Sequence, residues 1–278
     1  MPIHIVTDST CDLPATLVDQ YQVHVVPAAM VIEGQTYRDG IDLSREEFYQ
    51  RLPTWKRLPQ TASPAAGEFE ALYRQFGSDE IISLHTAAAF SGIFNAARLG
   101  AEAAGARVTL VDSGTTSVGL GWQVLAAAEA VQAGHSVNEA VAVSESTQRR
   151  LKVWAALDTI EYLRRGGRAN AIVAILGDLL QIKLVIEVVN SKITPLTRLR
   201  TRGKMIDKLA ELAQTFGPLD RLAVMYSKCL PDGQALAERL VTSLGPLAQH
   251  SPLVIEATPV IGTHVGPQAL GIAAVKAA

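Results

Sequence analysis

The sequence predicts an α/β protein in two domains. Residues 1–150 are expected to hold a parallel sheet with helices on both faces, and residues 151–278 an α/β domain with a mixed or antiparallel sheet. Three observations lead there. Short β-rich apolar runs alternate with helical segments through the first half, the pattern of a parallel sheet covered on both sides. Three of these runs end in polar loops, Asp8-Ser9-Thr10, Ser91-Gly92 and Asp112-Ser113. In such sheets ligands bind at the carboxyl ends of the strands. Near residue 152 the rhythm changes, and two β-rich runs meet at a turn, Asn190-Ser191, that reads as a hairpin.

In chain order, Ile3 to Val6 reads as a strand, Pro14 to Tyr21 as a helix and Val23 to Val26 as a second strand. Met30 to Ile32 runs into a Glu33-Gly34 turn. Ser44 caps a helix, with Glu47 three residues on completing a capping box. Ser63 reads as the N-cap of the next helix, with Pro64 at its first position. Phe69, Leu72, Tyr73 and Phe76 then follow at helical spacing and are expected to face the core. Ile81 to Leu84 is an apolar strand that leads through a small-residue loop to Ser91, where a helix is expected to begin. Arg107 to Val111 is a strand, and Val118 to Gln132 and Val137 to Leu151 are helices. Beyond the boundary, Lys152 to Leu157 is a strand and Ala169 to Gln181 an apolar helix. Leu184 to Val189 and Ile193 to Arg198 form the hairpin. Helix Lys204 to Phe216, strand Leu222 to Ser227, helix Gly233 to Leu244 and strand Leu253 to Ala257 complete the reading.

Composition narrows the function. The chain has 278 residues, 48% of them hydrophobic and 19% charged, which suits a folded domain with ample core. A net charge of -2 argues against a general nucleic-acid binder. Cys11 and Cys229 lie far apart without metal-like spacing and read as reduced thiols of a cytoplasmic protein. The N-terminus runs directly into a strand, with neither the basic start nor the apolar core of a signal peptide. No apolar run approaches the roughly 18 residues that span a bilayer, so stable membrane insertion is not expected.

Signatures of common cofactors are missing. The six histidines never fall at His-x-x-x-His spacing, and neither a Gly-x-Gly-x-x-Gly run nor a P-loop occurs. Gly119-Leu120-Gly121 is half a nucleotide motif at most. Ala89 stands where a Gly-x-Ser-x-Gly elbow around Ser91 needs its first glycine. No metal or cofactor is therefore expected. Four stretches remain as candidates. Ser91 and Gly92 start a helix after a strand, a geometry that aims backbone N–H groups at an anion, or else form an ordinary capped connection. Asp8 and Asp112 end strands, where they suit acid–base work or a cation, or else cap their own turns. Arg164, Arg165 and Arg168 flank Gly166-Gly167, a combination suited to a carboxylate or phosphate, or to a solvated helix end. His264 lies in a glycine-punctuated stretch, Gly262 to Pro267, as an anion donor or a structural histidine.

Six stretches in order carry a resemblance over nearly the whole chain: Val6-Thr7-Asp8-Ser9-Thr10-Cys11-Asp12-Leu13-Pro14, Thr61-Ala62-Ser63-Pro64, Ser91-Gly92, Val111-Asp112-Ser113, Leu163 to Arg168, and Ile261 to Pro267. Together they resemble the DegV family, bacterial fatty-acid-binding proteins that include the FakB subunits of fatty acid kinase. The resemblance implies two α/β domains with a long-chain fatty acid buried between them. It implies that Thr61 and Ser91 hold the carboxylate through their hydroxyls, beside Gly92, Ser63 and Thr263, with Arg168 and His264 near the head group. An ATP-dependent fatty acid kinase subunit is the implied protein partner, with Arg164, Arg165 and Arg200 or Arg202 as candidate contacts. The chain departs from the family pattern at Ala62, Ala87 and Ala88, where polar residues are usual.

This reading makes physical sense. Burying acyl methylenes gains about 0.8 kcal/mol each, so a long chain needs only apolar walls. Its carboxylate needs donors, because an unpaired buried charge is costly. The expected protein is a carrier that is not catalytic alone. The rival is a lipid or ester hydrolase with Ser91 as nucleophile, His264 as base and Asp8 or Asp112 orienting it.

Overall fold

The computed structural model describes residues 1–168, 183–245 and 251–278. The expected apolar helix Ala169 to Gln181 lies outside the described residues. In the first half the elements are β1 (Ile3–Asp8), α1 (Ala15–Gln20), β2 (His24–Val26), β3 (Ala29–Ile32), β4 (Gln35–Arg38), α2 (Arg45–Arg51), β5 (Gln60–Ala62), α3 (Ala66–Gln75), β6 (Glu80–His85), α4 (Ile93–Ala104), β7 (Arg107–Asp112), α5 (Val118–Gln132) and α6 (Val137–Arg149). There follow β8 (Leu151–Leu157), α7 (Glu161–Arg165), β9 (Lys183–Val189), β10 (Lys192–Leu199), α8 (Arg202–Phe216), β11 (Leu219–Tyr226), α9 (Leu230–Leu244), β12 (Leu253–Glu256), α10 (Pro259–Val265) and β13 (Leu270–Lys276).

A four-stranded sheet in the order β2-β1-β6-β7 is parallel throughout. Its side chains alternate between two cores, as the two-residue period of a strand requires. Val6 and Ile81 face α3 and α4 through Phe69, Tyr73, Ile93 and Ala97. Ile5, Ile82 and Leu84 face α5 on the other side. The expected parallel sheet with helices on both faces is what folds.

The second sheet has six strands in the order β10-β9-β8-β13-β11-β12. Only β11 and β12 pair in parallel, so the sheet is mixed, with β9 and β10 as the expected hairpin. Its outer face (Trp154, Val185, Val224, Ile272) packs on α8 and α9 through Leu209 and Leu240. Its inner face (Val153, Ile186, Met225, Ala273) shares a core with α5. Twelve of the fifteen residues of α5 are buried, because the helix is covered by both sheets and by α6. A Cβ on Gly121 would come within 2.6 Å of the Cys11 carbonyl, and one on Gly119 within 2.6 Å of Val153. These glycines let α5 approach its neighbours closely, which accounts for Gly119-Leu120-Gly121 without any nucleotide.

Several elements differ from the sequence reading. A small antiparallel sheet, β4-β3-β5, was not expected; β4 is polar and largely exposed, so no apolar pattern marks it. β13, a central strand, is apolar on both faces and rich in Gly and Ala, so it lacks the alternation that reveals a half-buried strand. Ser63 does not cap α3. The helix begins at Ala66, and Glu68 instead accepts from the Ala65 backbone N–H at 3.0 Å. The glycine-punctuated stretch around His264, given no element on sequence, is helical: α10 runs to Val265 with Gly266 as its C-cap.

Candidate functional site

A partly open cavity, about 1130 Å³ when the space at its mouth that opens to solvent is included, lies between the strand-end loops of the parallel sheet and the inner face of the mixed sheet. The mixed sheet contributes Val153, Ala155, Ile186, Val188 and Met225, all from positions that alternate onto that face. Phe90, Leu163, Val260 and Val265 add apolar surface from the loops and short helices.

At one part of the wall, four separate segments bring polar groups together. β5 carries Thr61, and Ser63 follows it. Thr61 Oγ1 is 3.1 Å from His264 Nε2, and Ser63 Oγ is 3.5 Å from Ser91 Oγ. Ser91 sits one residue before the N-cap Gly92 of α4, where its Oγ accepts weakly from the Ile93 N–H at 3.4 Å. Gly92 does not line the cavity. A Cβ there would lie 3.0 Å from Ser63 Oγ, so its bareness leaves room for the Ser63–Ser91 pair. Exposed Arg168 ties the segments: its Nε donates to the Phe90 carbonyl at 3.2 Å and its Nη1 to the Gly166 carbonyl at 2.7 Å.

His264 is held neutral. Burial, then the nearby Arg168 charge, lowers its pKa from 6.5 to about 4. Its Nδ1 is buried without a hydrogen-bond partner. A Cβ on Gly166 would lie 2.5 Å from that nitrogen, so only glycine leaves space for the ring. Thr263, grouped with these residues on sequence, lies off the cavity. It is buried in the other direction, and its hydroxyl donates to the Pro259 carbonyl at 2.9 Å. Helical geometry is the reason, since neighbours on a helix point about 100° apart.

Among the described residues, Ser91, His264 and Asp8 or Asp112 are not hydrogen-bonded into the triad considered on sequence. The nearest partner of His264 Nε2 is Thr61, and the unpartnered Nδ1 has no carboxylate to orient it. Asp112 accepts from the Gly114 and Ala88 N–H groups, which makes it a turn residue. Asp8 is wholly buried and bonds Thr10, the Thr86 N–H and His85 Nδ1 at 3.0 Å. His85 Nε2 in turn meets Ser83 Oγ at 2.7 Å, and Ser83 meets Tyr73 at 2.8 Å. This resembles a triad in connectivity, yet Ser83 and His85 are 0% exposed and neither lines the cavity. Sequence reasoning missed the network. Its one signal was two polar residues, Ser83 and His85, spaced two apart in an apolar strand and so on one face.

Of the weaker arginine candidates, Arg165 pairs with Glu161 at 2.5 Å, and Arg202 is held by Asp232 at 2.8 Å and by Cys229 Sγ. Arg164 and Arg200 are exposed. Among the described residues no group of three or more His, Cys, Asp or Glu gathers as metal ligands, and no helix is long and apolar enough to cross a membrane. Both cysteines are buried and unpaired, and burial raises both thiol pKa values.

Fold and site together define an α/β protein built around one large apolar cavity with hydroxyls, a neutral imidazole and a guanidinium at one part of its wall. A model of the DegV family, described as uncharacterised proteins, matches residues 2–277, and the chain belongs to that family. It is 36% identical over 277 residues to a DegV domain-containing protein of Streptomyces coelicolor, covering 97% of each chain. It is 32% identical over 283 residues to the protein DegV of Bacillus subtilis, covering 98% of each. Among solved structures it superposes with a TM-score of 0.91 on a DegV family protein from Thermus thermophilus described by its fatty acid binding, at 31% identity and full coverage of both chains. It superposes at 0.89 on DegV of Bacillus subtilis, described as a fatty acid binding protein, at 31% identity, with 99% of this chain and 100% of that one covered.

Proposed function

We propose that the cavity holds one long-chain fatty acid and that the protein is a non-catalytic carrier. The observation that carries this is an aliphatic cavity whose wall brings in Thr61 paired with His264, Ser63 paired with Ser91, and Arg168 near His264. The carboxylate takes hydrogen bonds from the Thr61 and Ser91 hydroxyls, with Ser63 as a third donor. His264, held neutral by burial and by the Arg168 charge, gains a proton more readily once an anion lies beside Thr61. Arg168 supplies the fixed cation. Burying some fourteen methylenes gives on the order of 10 kcal/mol gross, before the costs of association. Two relatives at 31% identity described by fatty acid binding support the same reading.

The carrier presents its ligand to an ATP-dependent kinase subunit, which phosphorylates the carboxylate and brings its own nucleotide and magnesium. Exposed Arg164 and Arg200 are the contacts open to such a partner, and the setting is cytoplasmic. The chain divides at residue 150, between α6 and β8, with one core contained within residues 154–274 and the acyl chain between the halves.

The test is solvent extraction of protein purified from a bacterial host, followed by mass spectrometry. About one fatty acid per chain is expected; folded protein that is consistently lipid-free sinks the carrier. Thr61→Ala combined with Ser91→Ala is expected to weaken binding at least tenfold, as loss of charge-assisted hydrogen bonds does. Its melting temperature should stay within a few degrees of wild type. Unchanged affinity removes both residues from the head-group site.

A further inference from the structure

Six more hydroxyl-bearing residues, Thr10, Thr86, Thr116, Ser117, Tyr226 and Ser227, line the same cavity, where a saturated chain offers them no partner, and on four of them, Thr10, Thr86, Ser117 and Ser227, the hydroxyl is already given to the protein. None of these four is free to meet a ligand. Thr86 donates to the Thr115 carbonyl at 3.2 Å and Ser227 to the Gly266 carbonyl at 2.6 Å. Thr10 donates to Asp8 Oδ1 and Ser117 to Asp12 Oδ2, each at 2.5 Å. Two of the four acceptors are thus carboxylates buried behind the wall, 0% and 1% exposed.

The choice of acceptor matters. An ionised carboxylate only accepts, so it fixes the hydroxyl hydrogen away from the cavity. An amide in its place can donate, which lets the hydroxyl accept and swings the hydrogen outward. Asp12 is the cleaner case. Its Oδ1 accepts from the Thr258 N–H at 2.7 Å, leaving Oδ2 to Ser117; burial raises its pKa, while Arg45 and these two hydrogen bonds favour the ionised form. A hydrogen swung off Asp12 finds only Met225 Sδ, 3.1 Å from Ser117 Oγ. That thioether is a weak acceptor and itself lines the cavity.

We infer that Asp12 is a specificity-determining positioning residue: through Ser117 it keeps that part of the cavity wall closed to hydrogen bonding, so that the site takes an acyl chain unsubstituted there and rejects one hydroxylated alongside Ser117. Asp8 acts in the same way through Thr10. The inference rests on the fatty-acid reading above.

The test compares wild type, Asp12→Asn, Ser117→Ala and the double variant, all stripped of lipid, by calorimetric titration with hexadecanoate and with hexadecanoates hydroxylated in mid-chain. Asp12→Asn is isosteric, keeps an acceptor for Thr258, and suits the left-handed backbone at this position, φ 54°. It is expected to bind hexadecanoate about tenfold more weakly, with preference shifted toward one hydroxylated isomer, because a free polar group now faces the methylenes. Ser117→Ala alone should lower thermal stability, since it strips Asp12 of a donor, yet leave affinity within about threefold. Adding Ser117→Ala to Asp12→Asn should restore affinity to within about threefold of wild type, a rescue that a merely structural role for Asp12 does not produce. Unchanged affinity in Asp12→Asn overturns the inference, as does a double variant no better than Asp12→Asn. If Asp12→Asn does not fold, Asp8→Asn with Thr10→Val as the rescuing change asks the same question. Wild type that fails to bind hexadecanoate overturns the fatty-acid reading, and this inference with it.

Discussion

A buried carboxylate shows how single residues in this fold are set by their surroundings. Asp39 is 2% exposed, accepts one hydrogen bond from Ser9 at 2.7 Å, and leaves its other oxygen without a partner. Burial raises its pKa from 3.8 to about 7, against the pull of the Ser9 hydrogen bond and of Arg45. The folded state therefore holds a proton that the unfolded chain releases near 3.8. The stability gained from that proton is complete below pH 3.8 and is lost as pH rises through about 7. Asp39→Asn stays neutral at every pH. Its melting temperature should match wild type near pH 4 and exceed it increasingly up to pH 7, by a few kcal/mol of stability, then hold a constant lead. Parallel wild-type and variant melting curves from pH 4 to 8 would show that Asp39 is not the titrating group. At this scale the sequence was a partial guide. Ser91 stood out at a strand-to-helix loop, Arg168 beside Gly166-Gly167 and His264 in a glycine-punctuated stretch, whereas Thr61 entered only through the resemblance to the DegV family; all four line the cavity. Ser63 and Thr263 show the limit, since which way each side chain turns depends on where a helix begins and ends, and the residue type alone does not say.

Among the elements, α5 has the strongest constraint, because it has no solvent face. Helices with one polar side announce their orientation through their periodicity; this one carries apolar and small residues all round, so its sequence said helix but not what lay on either side. The answer is a sheet on each side, and Gly121 is where the contact with the 3₁₀ turn Ser9–Cys11 is closest. Ala there would be the better helix former by about 1 kcal/mol. The added methyl, however, meets the Cys11 carbonyl at 2.6 Å and Leu13 at 2.9 Å, and backbone cannot yield as a side-chain end can. Overpacking of this kind costs roughly 1–3 kcal/mol. Gly121→Ala should therefore lower stability by about that amount in denaturant titration despite its helix propensity, and a stabilised protein would mean that the turn moves aside easily. β13 was hidden for the related reason that a strand buried on both faces shows no alternation. Hairpin β9–β10 was legible because Asn190 and Ser191, both with positive φ, form the tight turn its sequence announced.

For the molecule as a whole, the two sheets do not meet directly across the cavity; α5 separates them at one side and the cavity at the other. A ligand filling that space adds apolar contact to both sheets at once, and so should act on affinity and stability together. Each methylene that enters contributes about 0.8 kcal/mol, roughly fourfold in affinity, for as long as wall remains to be covered. Saturated acids from ten to twenty carbons should show that slope and then a plateau or a reversal, and the length at the break measures the reach of the cavity from Thr61 and Ser91. Since the ligand binds only the folded chain, each should also raise the melting temperature in step with its affinity, by about 2.7 kcal/mol of stability at a hundredfold excess over Kd. A slope near zero from the shortest acid onward would mean that the chain lies in solvent and only the carboxylate is held. A steep slope in affinity without any thermal shift would mean that the acid also binds the unfolded chain, and that the cavity between the sheets is not where its energy comes from.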